Sequence, residues 1–506
     1  MFLTGRQPHF RKQKHHSNIY RVMALTALIV AGLVVFRDYK RGEVKPLFSP
    51  TATPTRTFVS YEQEGDTYFE IGKLDCAPET PDACAIGAYK NAVAIDPNNA
   101  VIYTRLARIQ AYSIKLQATN EERLERLQEA LASADQAVKI DPDDSSAHAV
   151  RAFVLDWLAS IPQPLVTIEQ RDEWLYEAEK EATKAFTLDE TNTLALAYYA
   201  EILVDQGKLT QAEQKINQAL ESGKADMDIY RVHGYVLEYM GAYKASLEEY
   251  EKAAEVNPNM TFLYIDIGNK YRHLANINTS NDQKTELYGY ALENFQKAVD
   301  INARLGIQDP TPYIAIANTY SQMGEFFVAV NNMRKVLQLN PGSASAYAQL
   351  GMVYHRSRNY EGSVPAFKCG LEGCTAEEAC EVRQCDPDTD KAAGNWLDIK
   401  GLSLDDDTWI YYTTYGSVMA GLHKPSLPRC DHAMEILSMV RAMYGTNDEI
   451  MAIVKPSEEI CEAAGYSLQG AALPSPTPAT SETPPASTEM PTAAPLETLT
   501  APTVGP

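Results

Sequence analysis

Two hydrophobic patterns divide the chain. From Val22 to Phe36 the run VMALTALIVAGLVVF is uncharged and apolar on every face, and Arg21 and Arg37 flank it. Beyond it, apolar and small residues return with a period of about 34 residues, punctuated by Asn-Pro and Asp-Pro corners; this is the period of a helix–turn–helix solenoid. The clearest unit places Tyr230, His233, Gly234, Leu237, Gly241, Ser246, Tyr250, Ala253 and Pro258 in phase. Tyr264, Ile267, Gly268 and Tyr271 open the next. Tyr313, Ile316, Ala317, Tyr320, Gly324, Ala329, Met333, Val336 and Pro341 form another, followed by Tyr347, Leu350, Gly351, Tyr354, Ser363 and Phe367. Earlier units close at Pro97, Pro142, Glu190 and Lys224.

Each position has a physical reason. Small residues such as Ala200, Gly234, Gly268 and Gly351 let the first helix of a unit approach the second, while Tyr250 and Phe367 fill the space between units. Proline after Asp or Asn stops the second helix. On these residues the chain resembles the tetratricopeptide repeat (TPR) family across residues 58–375, in about eight units. The resemblance implies an all-α fold, a right-handed superhelical solenoid of helix pairs, here preceded by one transmembrane helix. The spacings from Pro97 to Pro142 and from Pro142 to Glu190 are 45 and 48 residues, which places insertions near 118–122 and 161–170, with a third near 276–284. After Thr375 the register is lost. A connector rich in Cys and Asp (376–404) leads to a divergent helical pair and a closing helix (405–466) that caps the open end of the array.

The apolar run is short against the roughly 17–25 residues of a span, and Tyr20 with the stems of Arg21 and Arg37 extends it. No small-x-small cleavage site follows, which favours an uncleaved signal anchor over residues 22–36. Five basic residues precede the run and four follow, a lean towards a cytoplasmic N-terminal arm (1–21).

Charge and cysteine usage sharpen the picture. The chain carries 45 Lys and Arg against 67 Asp and Glu, for a net charge of −22. Residues 1–45 hold nine basic and two acidic residues, so the remainder carries −29. A body that acidic repels phosphate backbones and excludes nucleic acid. The eight cysteines, Cys76, Cys84, Cys369, Cys374, Cys380, Cys385, Cys430 and Cys461, sit in loops or near the array's ends. Cys76 can pair with Cys84, and Cys430 with Cys461. The central four form local disulfides whose pairing stays open, with a zinc site as the alternative. Asp386, Asp388 and Asp390 start like a calcium loop, but Lys391 and Leu397 break the pattern, so no metal is expected there. Asn259 and Asn278 head glycosylation sequons. The stalk (37–57) and the tail (467–506) are Pro/Thr-rich; Leu473–Pro506 has nine Pro, eight Thr and no basic residue. Such tails and disulfides point to repeats outside the cytoplasm, periplasmic or extracellular.

No catalytic motif is present: there is no G-x-S-x-G, P-loop, H-E-x-x-H or dinucleotide glycine pattern. An enzyme is not expected, nor a cofactor. The resemblance implies a concave face lined from the first helices, by register Arg105, Arg108, Phe153, Arg231, Tyr235, Asn269, Arg272, Asn318 and His355. Arginines with aromatic and amide neighbours suit an extended peptide or an acidic segment. The two-carboxylate clamp of chaperone-binding members is not matched: Tyr235 and Asp266 stand where asparagines would, and Thr311 and Ala315 where later basic residues would. The expectation is therefore a membrane-anchored extracytoplasmic scaffold that binds protein. The alternative is a surface protein that binds envelope polysaccharide or wall, and a third reading keeps the repeats in the cytoplasm with reduced thiols.

Overall fold

The computed structural model describes residues 18–40 and 56–466, apart from 78–79, 118, 164 and 224–225. The basic arm before Asn18, most of the Pro/Thr stalk and the C-terminal tail lie outside the described residues.

Helix α1 (Ile19–Lys40) continues beyond the apolar run at both ends. Its 22 residues rise about 33 Å at 1.5 Å each, and the stretch Ile19–Arg37 has a mean hydropathy of 2.2 with none of it buried. It is long and apolar enough to cross a membrane.

Eight antiparallel helix pairs follow: α2 (Phe58–Glu70) with α3 (Ala85–Ile95), α4 (Ala100–Ser113) with α5 (Asn120–Ile140), α6 (Ser145–Ala159) with α7 (Ile168–Leu188), and α8 (Thr193–Asp205) with α9 (Leu209–Glu221). Then come α10 (Met227–Tyr239) with α11 (Tyr243–Val256), α12 (Thr261–Ile277) with α13 (Asn281–Leu305), α14 (Thr311–Met323) with α15 (Phe326–Leu339), and α16 (Ala344–Arg356) with α17 (Tyr360–Leu371). The Asp-Pro and Asn-Pro corners do what their chemistry dictates: α3, α5, α11 and α15 are C-capped by Asp96, Asp141, Asn257 and Asn340, each directly before its proline. Side-chain caps at Asn99, Asp144, Asn192, Asp226 and Ser343 open the first helices.

The extra residues of the long units fall partly in the expected places: the connections at 114–119 and 160–167 are six and eight residues long, against three in α8–α9 and α10–α11. The rest lengthen helices: α5 and α7 have 21 residues each and α13 has 25, against 13 or 14 in α9, α11 and α15. Reciprocal capping boxes, Thr119 with Glu122 and Thr167 with Gln170, satisfy the orphan amides where α5 and α7 begin and so allow the added turns.

The array coils back on itself. Arg108 and Tyr112 on α4 both hydrogen-bond Asp228 on α10, and Tyr112 stacks on Phe262 of α12, with ring centroids 5.3 Å apart. At the contact between the first and sixth pairs, Asn259 donates to the Glu70 carbonyl at 3.0 Å. Gly72 sits there with φ +80°, where a Cβ would fall 2.1 Å from the Asn259 carbonyl oxygen, so only glycine fits.

Past α17, the two-residue strands β1 (Gly373–Cys374) and β2 (Ile399–Lys400) pair antiparallel, and α18 (Ala376–Arg383) and α19 (Pro387–Ala392) lie between them. Cysteines stand at disulfide distance as Cys369–Cys374 and Cys380–Cys385, with Cα atoms 4.7 and 5.0 Å apart, which resolves the open pairing in favour of neighbours. Asp386 caps α19 and Asp390 forms a buried ion pair with Arg383 at 2.5 Å, so two of the three acids serve the fold. Helices α20 (Trp409–Gly421), α21 (Cys430–Tyr444) and α22 (Asp448–Ala463) cover the end of the array; Cys430–Cys461 ties the start of α21 to the end of α22. Cys76–Cys84 closes the loop ahead of α3.

Candidate interaction site in the concave interior

Because the coil is tight, first helices from non-neighbouring pairs meet inside it, and their large residues fill much of the concave face. Phe153 stacks on Tyr198 at 4.3 Å and leans on Trp157 at 4.5 Å. The Arg231 guanidinium lies 5.7–5.8 Å from the rings of Tyr112, Phe153 and Trp157. It also holds Glu201 through two hydrogen bonds of 2.8 and 2.6 Å, and Trp157 Nε1 donates to the same carboxylate at 3.2 Å. Arg231 and Glu201 are only 6% and 5% exposed.

This placement corrects the picture of nine residues along one open groove. Phe153 and Arg231 are buried and engaged in the interior, and Arg108 is half-buried on Asp228. Arg105 is paired with Asp66 at 2.9 Å and Glu62 at 3.0 Å. Arg272 donates to Asn269 at 2.9 Å and to the Ala315 carbonyl at 3.3 Å, which ties α12 to α14. Asn318 is half-buried on α14. His355 packs against the Tyr360 ring, and burial, then Arg356, pulls its pKa down. Arg105, Arg108 and Arg231 are matched to carboxylates, so these three offer no free positive charge to an acidic segment. The coil closes non-neighbouring units on one another, and arginine charge is consumed by acids from other first helices.

What stays open is a recess of about 260 Å³ among α4, α6, α8, α10 and α12. It adjoins a second recess of about 290 Å³ that reaches α14. The two share Ile114, Lys115, Ser160, Phe262 and Asp266. Tyr235, one of the nine, lines the first recess and donates to Asp205 at 2.6 Å. Across it, Lys270 pairs with Glu238 at 2.5 Å. Lys115 lies over the Trp157 ring at 5.0 Å. Burial, with Glu238 adding to it, raises the pKa of Asp266 against the pull of Lys115, Lys270 and Arg231. Asp205, at the solvent-facing rim, is pushed up to about 6 by burial of its carboxyl and by Glu201, against the Tyr235 hydrogen bond. Beneath it, Asp156 is 1% exposed with both carboxylate oxygens unpartnered, and burial, then Asp205 and Glu201, pushes it well up.

The residues that sequence reasoning missed, Lys115, Trp157, Asp205, Glu238 and Lys270, carried a usable signal. Glu201 meets Arg231 and Asp205 meets Tyr235 at a separation of 30 residues. Glu238 meets Lys270 at a similar interval, about one repeat along the chain. Complementary side chains one period apart on successive first helices mark the lining.

A family model described as "Tetratricopeptide repeat" matches residues 228–260 and 310–343, the pairs α10–α11 and α14–α15. Among curated proteins, the chain is similar to the Small glutamine-rich tetratricopeptide repeat-containing protein 2 of Mycosarcoma maydis, 28% identical over 85 residues. That match takes in 17% of this chain and 23% of the relative, so the chain spans about a quarter of the relative's length. Among solved structures, the human IFIT1 dimer with PPP-AAAA is similar over 81% of this chain and 98% of that one, at 16% identity and a TM-score of 0.46. TTC0263, a thermophilic TPR protein of Thermus thermophilus, is similar over 42% of this chain and 98% of its own, at 18% identity and a TM-score of 0.34.

Proposed function

We propose that this chain, which carries tetratricopeptide repeats, is a membrane-anchored scaffold that holds an extended segment of a partner protein in its concave interior. TPR arrays bind proteins and peptides, and this one leaves a paired recess at the point where five first helices converge. That convergence carries the reading. The polar groups and rings around it come from rigid helices, so the surface is pre-organised and a bound chain loses less in ordering the site. The work is recognition rather than catalysis.

Helix α1 supplies the anchor, with the basic arm in the cytoplasm and the repeats outside. What supports this topology is the length and hydropathy of α1 and the four cysteine pairs at disulfide distance, which persist in an oxidising compartment.

The test is site-specific photo-cross-linking in cells with the full-length chain. A photoreactive phenylalanine replaces Tyr235 in the recess or, as the control, Tyr176 on second helix α7, which is 72% exposed. One defined protein adduct at position 235 and none at 176 supports the reading. Adducts at neither position, with the repeats instead retained on isolated envelope polymer, overturns it in favour of the wall-binding alternative.

A further inference from the structure

We infer that the recess among α4, α6, α8, α10 and α12 receives a basic side chain, lysine or arginine, of the partner segment, seated against Asp266 and Asp205. The inference rests on the scaffold reading and gives it a chemical specificity opposite to the one that the arginine content of the sequence suggests.

Charge balance points there first. Two of the cations lining the recess are already committed, Arg231 to Glu201 and Lys270 to Glu238. Two lining carboxylates remain, Asp266 on the wall, which makes no hydrogen bond or ion pair among the described residues, and Asp205 at the rim with the Tyr235 hydroxyl as donor; Asp156 is buried beside Asp205 behind the lining. Against them stands a single ammonium, Lys115, lying over Trp157 and in no ion pair among the described residues. The recess is therefore short of positive charge, in a chain of net −22. A buried, unpartnered acid points the same way, independently of the acid count. Asp156 has no N–H or hydroxyl donor on either oxygen, only the neighbouring Asp205 carboxyl with which to share a proton. It sits one turn before the recess residue Ser160 on the same face of α6. Such a group normally finds a partner; here the groups it interacts with, Asp205, Glu201 and Arg231, all line the recess. The raised pKa values of Asp156, Asp205 and Asp266 agree, since unmatched carboxylates under burial hold protons that a cation would displace.

Shape and wall chemistry favour an organic cation over a metal ion. Among the described residues, no three of these carboxylates bring oxygens within 4.8 Å of one another, as a metal would require. Asp205 on α8 and Asp266 on α12 line the recess instead, together with the rings of Trp157, Tyr235, Tyr250 and Phe262. Spaced acids with aromatic walls suit a long stem that ends in a delocalised or diffuse charge, held by ion pairing and cation–π contact together.

The test uses the full-length chain in detergent and fluorescence anisotropy with labelled octapeptide libraries, each with Arg, Lys, norleucine or Glu fixed at the centre. The Arg and Lys libraries are expected to bind at least tenfold tighter than norleucine, and Glu weakest. Asp266→Asn, an isosteric change at a half-buried position, is expected to weaken the basic libraries at least tenfold and leave the norleucine library unchanged. Asp205→Asn is a second variant, in case the first disturbs folding; circular dichroism of each checks that the helices are intact. Equal binding of all four libraries, tighter binding by Glu, or basic binding indifferent to both substitutions overturns the inference, as does an absence of basic binding at millimolar peptide. The cross-link at position 235 separates the two failures: an adduct that persists in Asp266→Asn cells keeps the scaffold reading and removes the cation, whereas no adduct in the parent chain removes the scaffold reading itself.

Discussion

Replacing Arg231 by alanine tests whether the interior is a packed electrostatic core. The side chain is 6% exposed and forks onto Glu201, itself 5% exposed, through bonds of 2.8 and 2.6 Å. Truncation leaves a carboxylate buried with, among the described residues, only the Trp157 indole N–H at 3.2 Å as donor. It also strips the guanidinium from three aromatic rings. Breaking one side of a buried pair costs about 3–5 kcal/mol, whereas an exposed pair would cost about 1 kcal/mol or less. Repeat arrays can open in segments, so the readout is local: native-state hydrogen exchange of α8 and α10, where this loss corresponds to about two to four decades of protection. Removing both charges together, as Arg231→Met with Glu201→Gln, should recover most of the loss because no charge is stranded. Protection that falls less than tenfold in the single variant, or equally in single and double variants, would refute the reasoning.

Four further outcomes follow from the same structure. Asp156→Asn should stabilise the protein at pH 7 by about 1–3 kcal/mol, the range for a buried polar group lacking a partner. Asp156 faces Asp205, Glu201 and Arg231, and its folded pKa lies above the ordinary 3.8. The folded state thus holds its proton more tightly, and the parent's stability should be greatest below about pH 4 for this group and decline as pH rises through the folded value; urea titrations across that window should be flatter for the variant. Gly268→Ala places a Cβ 2.4 Å from Phe295 Cε1, a fully buried ring, and should destabilise by about 1–3 kcal/mol despite alanine's better helix propensity, as read by thermal melting. Cys430→Ser with Cys461→Ser opens a link between residues 31 apart and should cost about 3–4 kcal/mol. Reductant should therefore loosen the C-terminal helices to protease before α10–α13. Finally, alkylation of protein taken directly from cells should find no free thiol at the eight cysteines; eight labelled thiols would overturn the exported topology.

The fold was legible wherever contacts are local in sequence. A Cβ on Gly234 would fall 2.8 Å from the Tyr250 ring and one on Gly351 2.7 Å from Phe367, each a pairing inside one repeat that the 34-residue register already contains. The solenoid class follows from such pairs, as do the helix stops before Pro97, Pro142, Pro258 and Pro341. The interior was not legible in the same way. Arg108 finds Asp228 across 120 residues, and Tyr112 finds Phe262 across a still longer interval. Those meetings depend on the pitch at which successive pairs stack, which no single repeat encodes. Arg108 and Arg231 therefore read as free groove cations in the sequence and become matched charges in the fold, Arg231 buried and Arg108 half-buried. Of the nine, Tyr235 and the matched Arg231 line the recess. The partner of Tyr235, Asp205, lies one period away, a separation that the register could have supplied.

A basic segment of another protein in the concave recess is tested most directly by sequencing, by mass spectrometry, the partner peptide joined to a photoreactive residue at position 235. One peptide is expected, with a lysine or arginine within two residues of the cross-linked site, and its yield should fall at least tenfold with Asp266→Asn. A peptide that is acidic or uncharged around the junction, with a yield indifferent to Asp266, would contradict that assignment.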